Sequence, residues 1–222
     1  MTLSLPYVTP CDQCVTFSDI RMASALQKRL RSLASAHEVL TTAQLLEAGI
    51  SDQSLTRLVE QGTLVRVRRG IYQHVDSPTS EHHELIQVTK SASRAVIVLL
   101  SALRFHEIGT QSPHEVWIQL PAQTRVPMID WPPIRVIRTR VKELQTAGVQ
   151  HHQLGGTEVA ITTPARTVAD CFKHRNKLGI DVCVEAMRET LRERKATVGE
   201  MGEMGRLLGV GKVMTPYLEA MI

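Results

Sequence analysis

The chain has 222 residues, which is enough for one large domain or two small ones with hydrophobic cores of their own. Aromatic residues make up 4% of it and charged residues 22%, so the composition is that of a folded protein with an aliphatic core. No apolar run approaches the roughly 20 residues of a membrane helix, and the N-terminus lacks the basic-then-apolar order of a secretory signal. We therefore expect a cytoplasmic protein without a membrane partner.

The net charge of +4 is modest, and its distribution is more informative than its size. Residues 1–19 hold two acids and no Lys or Arg, whereas residues 20–75 hold eight Lys or Arg against four acids. A positive field over residues 20–75 would attract phosphate groups and would make binding salt-dependent.

Residues 1–21 are expected to be a disordered extension. Cys11 and Cys14 form a CxxC pair, but no second Cys or His pair follows at zinc-site spacing and the flanking residues show no βαβ pattern. No metal, cofactor or redox role is therefore predicted. Met22 begins a helix that extends to about residue 36, so translation could start at Met22 or at Met1.

Residues 41–74 show two short capped helices, a tight turn and a basic β-hairpin. Thr41 precedes Gln44 at the spacing of a capping box, and Gly49 permits the positive φ at which a helix can stop. Ser51 and Gly62 delimit the second helix in the same way. This order predicts a winged helix-turn-helix, and we assign residues 22–75 to it.

The hairpin, or wing, is predicted from LVRVRRGIYQH, in which Val65 and Val67 alternate with Arg66 and Arg68 and Gly70 allows the turn. On the second helix, Leu55, Leu58 and Val59 share one face, so Asp52, Gln53, Thr56 and Arg57 should point outward. Their side chains are donors and acceptors suited to base edges. Two other interpretations stay open, because such units also serve as protein-interaction modules and an Arg-rich hairpin can be a solvated sheet edge.

After the polar linker at 76–80, residues 80–222 are expected to form a mixed α/β domain that ends in a helical bundle. AVIVLLSALRFHEIG predicts a long apolar helix that ends at Gly109; HEVWIQLP and IRVIRTR predict strands; and VQHHQLGGTEVAIT predicts a hairpin. Thr163 and Pro164 begin a helix that carries Arg166 and Asp170, expected as an exposed pair. The predicted fold class is therefore α+β.

No catalytic constellation is apparent. Ser101 and His106 lie five residues apart on a predicted helix, where their side chains diverge, and no GxSxG elbow is present. His82 and His83 are adjacent and lack an HExxH pattern, so a surface role is favoured over a metal site. Another group is formed by Arg135, Arg138, Arg140 and Lys142, which either extend the basic surface or form a solvated strand face.

The run LTTAQLLEAGISDQSLTRLVEQGTLVRVRRGIY resembles the winged helix-turn-helix of AbiEi-family antitoxins, which belong to type IV toxin–antitoxin and abortive-infection operons. LLSALRFHEIGTQSPHEVWIQLP, TPARTVADCFKHRNKLG and MTPYLEAMI resemble the second half of that family. The resemblance implies a transcriptional repressor that binds inverted repeats at its own promoter, without enzymatic activity. It also implies an antitoxin that opposes a nucleotidyltransferase-like toxin, with or without stable contact.

When the DNA-binding positions of the family are transferred to this sequence, the resemblance implies two groups of DNA-contacting residues. They are Gln53, Thr56 and Arg57 on the second helix, and Arg66, Arg68 and Arg69 on the wing. Antitoxicity would belong to the C-terminal domain as a whole. One alternative hypothesis is an enzyme that acts on nucleotide, RNA or toxin, with His106, His114 and Arg166 as its first suspects. Another is a protein-interaction module.

Overall fold

The computed structural model describes the backbone of residues 17–221 and the side chains of residues 26–221. The chain forms two compact units, one of residues 17–36 and 40–75 and one of residues 37–39 and 76–221. Most of the expected extension, with Cys11 and Cys14, lies outside the described residues, although a helix already begins at Phe17. Within residues 17–221, no helix is long and apolar enough to cross a membrane.

The first unit has the element order of a winged helix. Its elements are α1 (Phe17–Ala36), β1 (Leu40–Thr41), α2 (Thr42–Glu47), α3 (Asp52–Glu60), β2 (Leu64–Arg68) and β3 (Ile71–His74). The strands form an antiparallel sheet in the order β1-β3-β2. The core contains Leu30, Leu40, Leu45, Ile50, Leu55, Leu58 and Leu64.

The predicted starts of α2 and α3 are confirmed by their caps, whereas α1 begins at Phe17 rather than at Met22. The Gln44 amide N–H donates to Thr41 Oγ1 at 3.3 Å, and the Thr41 N–H donates to Gln44 Oε1 at 3.0 Å. Ser51 Oγ accepts from the N–H of Ser54 at 3.3 Å. Gly49 has a φ of +79°, which permits the sharp turn between α2 and α3.

The predicted hairpin is present, but the valines and arginines that alternate in the sequence do not alternate regularly between the two faces of β2. Arg66 lies opposite Tyr72 and Arg68 lies opposite Ile71, so Val67 is an extra residue that bulges the strand. Because Ile71 and Tyr72 are consecutive, Arg66 and Arg68 face opposite sides of the hairpin. Val65 is 52% exposed.

The second unit is built on a five-stranded mixed sheet in the order β6-β5-β4-β8-β7. The strands are β4 (Val96–Ile97), β5 (Val116–Pro121), β6 (Ile134–Thr139), β7 (Val149–Leu154) and β8 (Thr157–Thr162). The helices are α4 (His83–Ser91), α5 (Leu99–Phe105), α6 (Pro164–Lys173), α7 (Arg175–Leu178), α8 (Ile180–Arg192), α9 (Val198–Leu207) and α10 (Gly211–Glu219). Together with the winged unit, this arrangement confirms the predicted α+β class and the helical C-terminal part.

The prediction of one long apolar helix before Gly109 is wrong for the first half of that segment. Val96 and Ile97 form the central strand of the sheet, and α5 begins only at Leu99, which has a φ of +52°. A run of buried apolar residues does not by itself distinguish a strand from a buried helix. Here the β-branched residues at 96–98 belong to the strand and to the residue that follows it.

Both faces of this sheet are buried. Val96 and Trp117 pack in a core with residues of α6, α8, α9 and α10. Their chain neighbours Ile97 and Ile118 pack in a second core with Leu85 of α4. Alternate residues of a strand point to opposite faces, so the two cores lie on opposite sides of the sheet.

A fully buried arginine connects α6 to the sheet and to the loop before β7. Arg166 Nε donates to Asp170 Oδ2 at 2.8 Å, and Nη1 donates to the carbonyl of Ala147 at 2.6 Å. Nη2 reaches Gln119 Oε1 and the carbonyl of Leu144 at 3.4 and 3.3 Å. The Arg166–Asp170 pair, expected to be exposed, is therefore an internal one.

We predict that Arg166→Met lowers the free energy of unfolding by about 3–5 kcal/mol at pH 7, because it leaves the Asp170 carboxylate buried without its partner. Urea denaturation measures this change. Arg188→Met, at an exposed position of α8, is the matched control and should change stability by less than about 0.5 kcal/mol.

The loss in free energy of unfolding caused by Arg166→Met should become smaller as the pH falls from 7 towards 5. Burial raises the pKa of Asp170 even beside Arg166, and removal of the guanidinium raises that pKa further. A raised carboxyl pKa lets the folded state bind a proton where the unfolded state does not, so stability is regained on acidification. An equal loss in free energy of unfolding at both pH values would show that the loss does not come from an unpaired Asp170 carboxylate.

Candidate nucleic-acid interface

The outer face of α3 presents the four polar side chains that its inward leucines leave exposed. Leu55 and Leu58 are 3% and 4% exposed, whereas Gln53, Thr56 and Arg57 lie in solvent. Asp52 stands in the first turn, where a negative charge favours the positive end of the helix. The face is therefore fixed in direction by the core beneath it.

The Thr56 hydroxyl is already committed as a donor. It donates to the carbonyl of Asp52 at 3.1 Å, within the same helix. Its methyl group and the acceptor lone pairs of its oxygen remain available. Gln53 and Arg57 are thus the residues of this face best suited to donate hydrogen bonds to a base edge.

The wing presents its arginines unequally. Arg66 and Arg69 are exposed, whereas Arg68 is half-buried after the bulge. Gly70, with a φ of +78°, makes the turn, and its carbonyl accepts from the Thr42 N–H at 3.0 Å. This bond ties the tip of the wing to the start of α2, so α2 and the wing hold a fixed relation within the unit.

Of the four cations that were expected either to extend the basic surface or to form a solvated strand face, two make contacts with other residues of the second unit. Arg135 pairs with Glu115 at 2.6 Å and lies over the ring of Trp117. Arg138 donates to the carbonyls of Pro121 and Thr124. Arg140 and Lys142 are exposed.

Three of the residues considered for catalysis make hydrogen bonds within the second unit. Ser101 Oγ accepts from the Trp117 N–H at 2.9 Å. The Arg166 guanidinium donates to Asp170 and to the other partners described above. His106 Nε2 lies 2.7 Å from the carbonyl of Thr162, and burial lowers its pKa, which favours the neutral ring as donor. His114 is exposed, and no hydrogen bond or ion pair within residues 26–221 joins it to His106 or Arg166.

His83 is likewise not the free surface residue that the sequence suggested. Its Nδ1 lies 2.5 Å from Oε1 of Glu38, whose other oxygen accepts from the Ser80 hydroxyl at 2.7 Å. Glu38 is buried in the second unit, although it precedes β1 in the chain. Sequence reasoning missed this contact because the residues that form it are 42 and 45 positions apart.

Comparison with known proteins identifies the winged unit. Residues 28–74 match the family model described as "Transcriptional regulator, AbiEi antitoxin". The crystal structure of the RV2827C protein from Mycobacterium tuberculosis is similar over 82% of this chain and 71% of its own, with a TM-score of 0.56 and 15% identity, which supports the fold. No curated protein matches the sequence. The predicted resemblance to AbiEi-family antitoxins is therefore confirmed for residues 28–74.

Proposed function

We propose that the protein is a sequence-specific DNA-binding repressor of its own operon and an antitoxin. The observation that carries the proposal is the exposed Gln53–Arg57 face of α3, held by the core of a winged unit whose sequence matches transcriptional regulators. A helix of this kind enters the major groove, where each base pair presents a distinct pattern of donors and acceptors. Double-stranded DNA at the promoter is the expected partner.

We assign these side chains two roles, base reading by α3 and backbone contact by the wing. Arg57 would donate two hydrogen bonds to a guanine edge, and Gln53 would read adenine, with Thr56 beside them. Arg66 and Arg69 would contact phosphates or the minor groove, and Arg68 would support them from the end of β2, beside the turn of the wing. The first role carries sequence specificity, and the second supplies affinity.

Replacing Arg57 with Ala should weaken binding to the promoter DNA by about 1–3 kcal/mol and relax its sequence preference. Mobility-shift titrations with DNA from upstream of the gene and with random DNA measure both effects. Arg188→Ala removes the same charge from α8 and should leave both affinities unchanged. Equal affinity of the unmodified protein for the two DNAs, with no effect of Arg57→Ala, would contradict the proposal.

Replacing Arg69 with Ala should instead weaken binding to every sequence alike. A lost phosphate contact reduces counterion release, so the slope of log affinity against log salt should become shallower by about one. Titrations at several salt concentrations measure the slope. A loss confined to the promoter sequence would show that Arg69 reads bases rather than phosphates.

The antitoxin activity is assigned to the second unit, and a nucleotidyltransferase-like protein is the expected toxin. Arg57→Ala should therefore lose promoter binding and still restore growth to cells that express the toxin. Co-expression and plating measure this separation. Loss of both properties together, in a variant that folds normally, would place antitoxicity on the DNA-binding face instead.

Two other hypotheses make different predictions. An enzyme centred on His106, His114 and Arg166 is disfavoured because Arg166 is fully buried and holds the fold together. His106→Gln should therefore neutralise the toxin as well as the unmodified protein does. A protein-interaction module would show no salt-sensitive binding to DNA.

A further inference from the structure

A groove of about 340 Å³ lies on the second unit, between the end of α4 and the segment that follows β5. Residues 91–94 form one wall, residues 124–128 form the other, and the buried Leu120 lies between them. Its volume is within the range of small-molecule sites, which combine an apolar lining with a few polar groups.

The polar groups of this groove are cationic or hydroxylic. Arg94 and Arg125 are exposed, and neither guanidinium makes a hydrogen bond or an ion pair with any residue in the described range 26–221. The hydroxyls of Ser93 and Thr124 are likewise unpaired within that range. The lining contains no Asp or Glu. Two guanidinium forks and two hydroxyls without internal partners suit a phosphate group.

The position of the groove in the sheet adds to this charge. Parallel strands β5 and β6 both end beside it, since Pro121 pairs with Thr139. Arg138 donates to the carbonyl of Thr124, which holds one wall in place and brings a third guanidinium close to the groove. Arg140 follows at the end of β6. Crevices outside the carboxyl ends of parallel strands are common places for phosphate-bearing ligands.

The remaining lining is apolar. Leu120 forms the floor, and Val126, Pro127 and Met128 form a wall in which Val126 is 41% and Met128 is 84% exposed. A free phosphate ion would leave these side chains in water. A ligand with an anionic group on a flat, partly apolar body would use both parts of the groove.

We propose that this groove binds a nucleoside phosphate. Arg94 and Arg125, with the hydroxyls of Ser93 and Thr124, would hold the phosphates. Val126, Pro127 and Leu120 would contact the base. The site is separate from the residues assigned to DNA binding, which all belong to the winged unit.

Isothermal titration of the full chain with ATP, GTP, CTP and UTP, each alone, tests the proposal. We expect saturable binding of at least one, about tenfold or more tighter than pyrophosphate or the matching nucleoside. Arg94→Ala and Arg125→Ala should each weaken it by about tenfold or more. Val126→Ser should weaken the nucleoside triphosphate and leave pyrophosphate unchanged.

Matched controls separate this site from the DNA-binding face. Arg188→Ala and Arg57→Ala should bind the nucleotide normally, and Arg125→Ala should bind promoter DNA normally. Both groove arginines are exposed, so their variants should melt at the temperature of the unmodified protein. If Arg94→Ala does not fold, Arg125→Ala decides the question.

Three results would overturn the proposal. The first is no saturable binding of any of the four nucleotides up to about 1 mM. The second is pyrophosphate binding as tight as that of the nucleotides, which would make the groove a simple anion site. The third is Arg125-dependent binding of an acidic peptide without any binding of nucleotide, which would make it a protein-docking site.

Discussion

The direction in which α3 faces depends on the burial of Leu55 and Leu58 in the core of the winged unit. Each helical residue is rotated by about 100° from the last, so once these leucines are fixed, Gln53 and Arg57 must face solvent. Truncating one such leucine to alanine typically costs about 2–5 kcal/mol, a large part of the stability of a small domain. The Thr41 and Ser51 caps and the turn at Gly49 then set where the helices begin and how they join. The proposed DNA-reading face is thus a consequence of apolar packing.

The second unit is organised by a different constraint. Its sheet is covered on both faces, and the charged residue Arg166 is buried between α6 and the sheet. Each partner described for its guanidinium is a buried side chain or a backbone carbonyl. A buried guanidinium is tolerated only where its donors are satisfied, so α6, the strand β5 and the loop before β7 have to meet at fixed positions. The donors of the Arg166 guanidinium are therefore occupied within the fold. The groove lined by Arg94 and Arg125 does not include Arg166.

The parts of the fold that could be predicted from the sequence are those that local signals determine. The capping box at Thr41 and Gln44 needs only residues three positions apart, and the same holds for the start of α6 at Thr163. The parts that could not be predicted depend on distant neighbours. The strand at Val96 could not be distinguished from a helix within its apolar run, because the strands that pair with it, β5 and β8, lie elsewhere in the sequence. The wing bulge arises from pairing with β3. The exposure of Gln53 and Arg57 on α3 followed from helical periodicity. Arg94 and Arg125, in contrast, line the same groove only once the second unit has folded.

Recognition of a defined DNA sequence by α3 and the wing is tested most directly by hydroxyl-radical footprinting of the DNA upstream of the gene, at physiological salt. We expect two short protected segments related by an inverted repeat, centred about one helical turn or a multiple of it apart. They should be protected at protein concentrations that leave the flanking DNA fully cleaved. Uniform, weak protection along the whole fragment, abolished by moderate salt, would show binding by charge alone and would contradict sequence-specific recognition by α3.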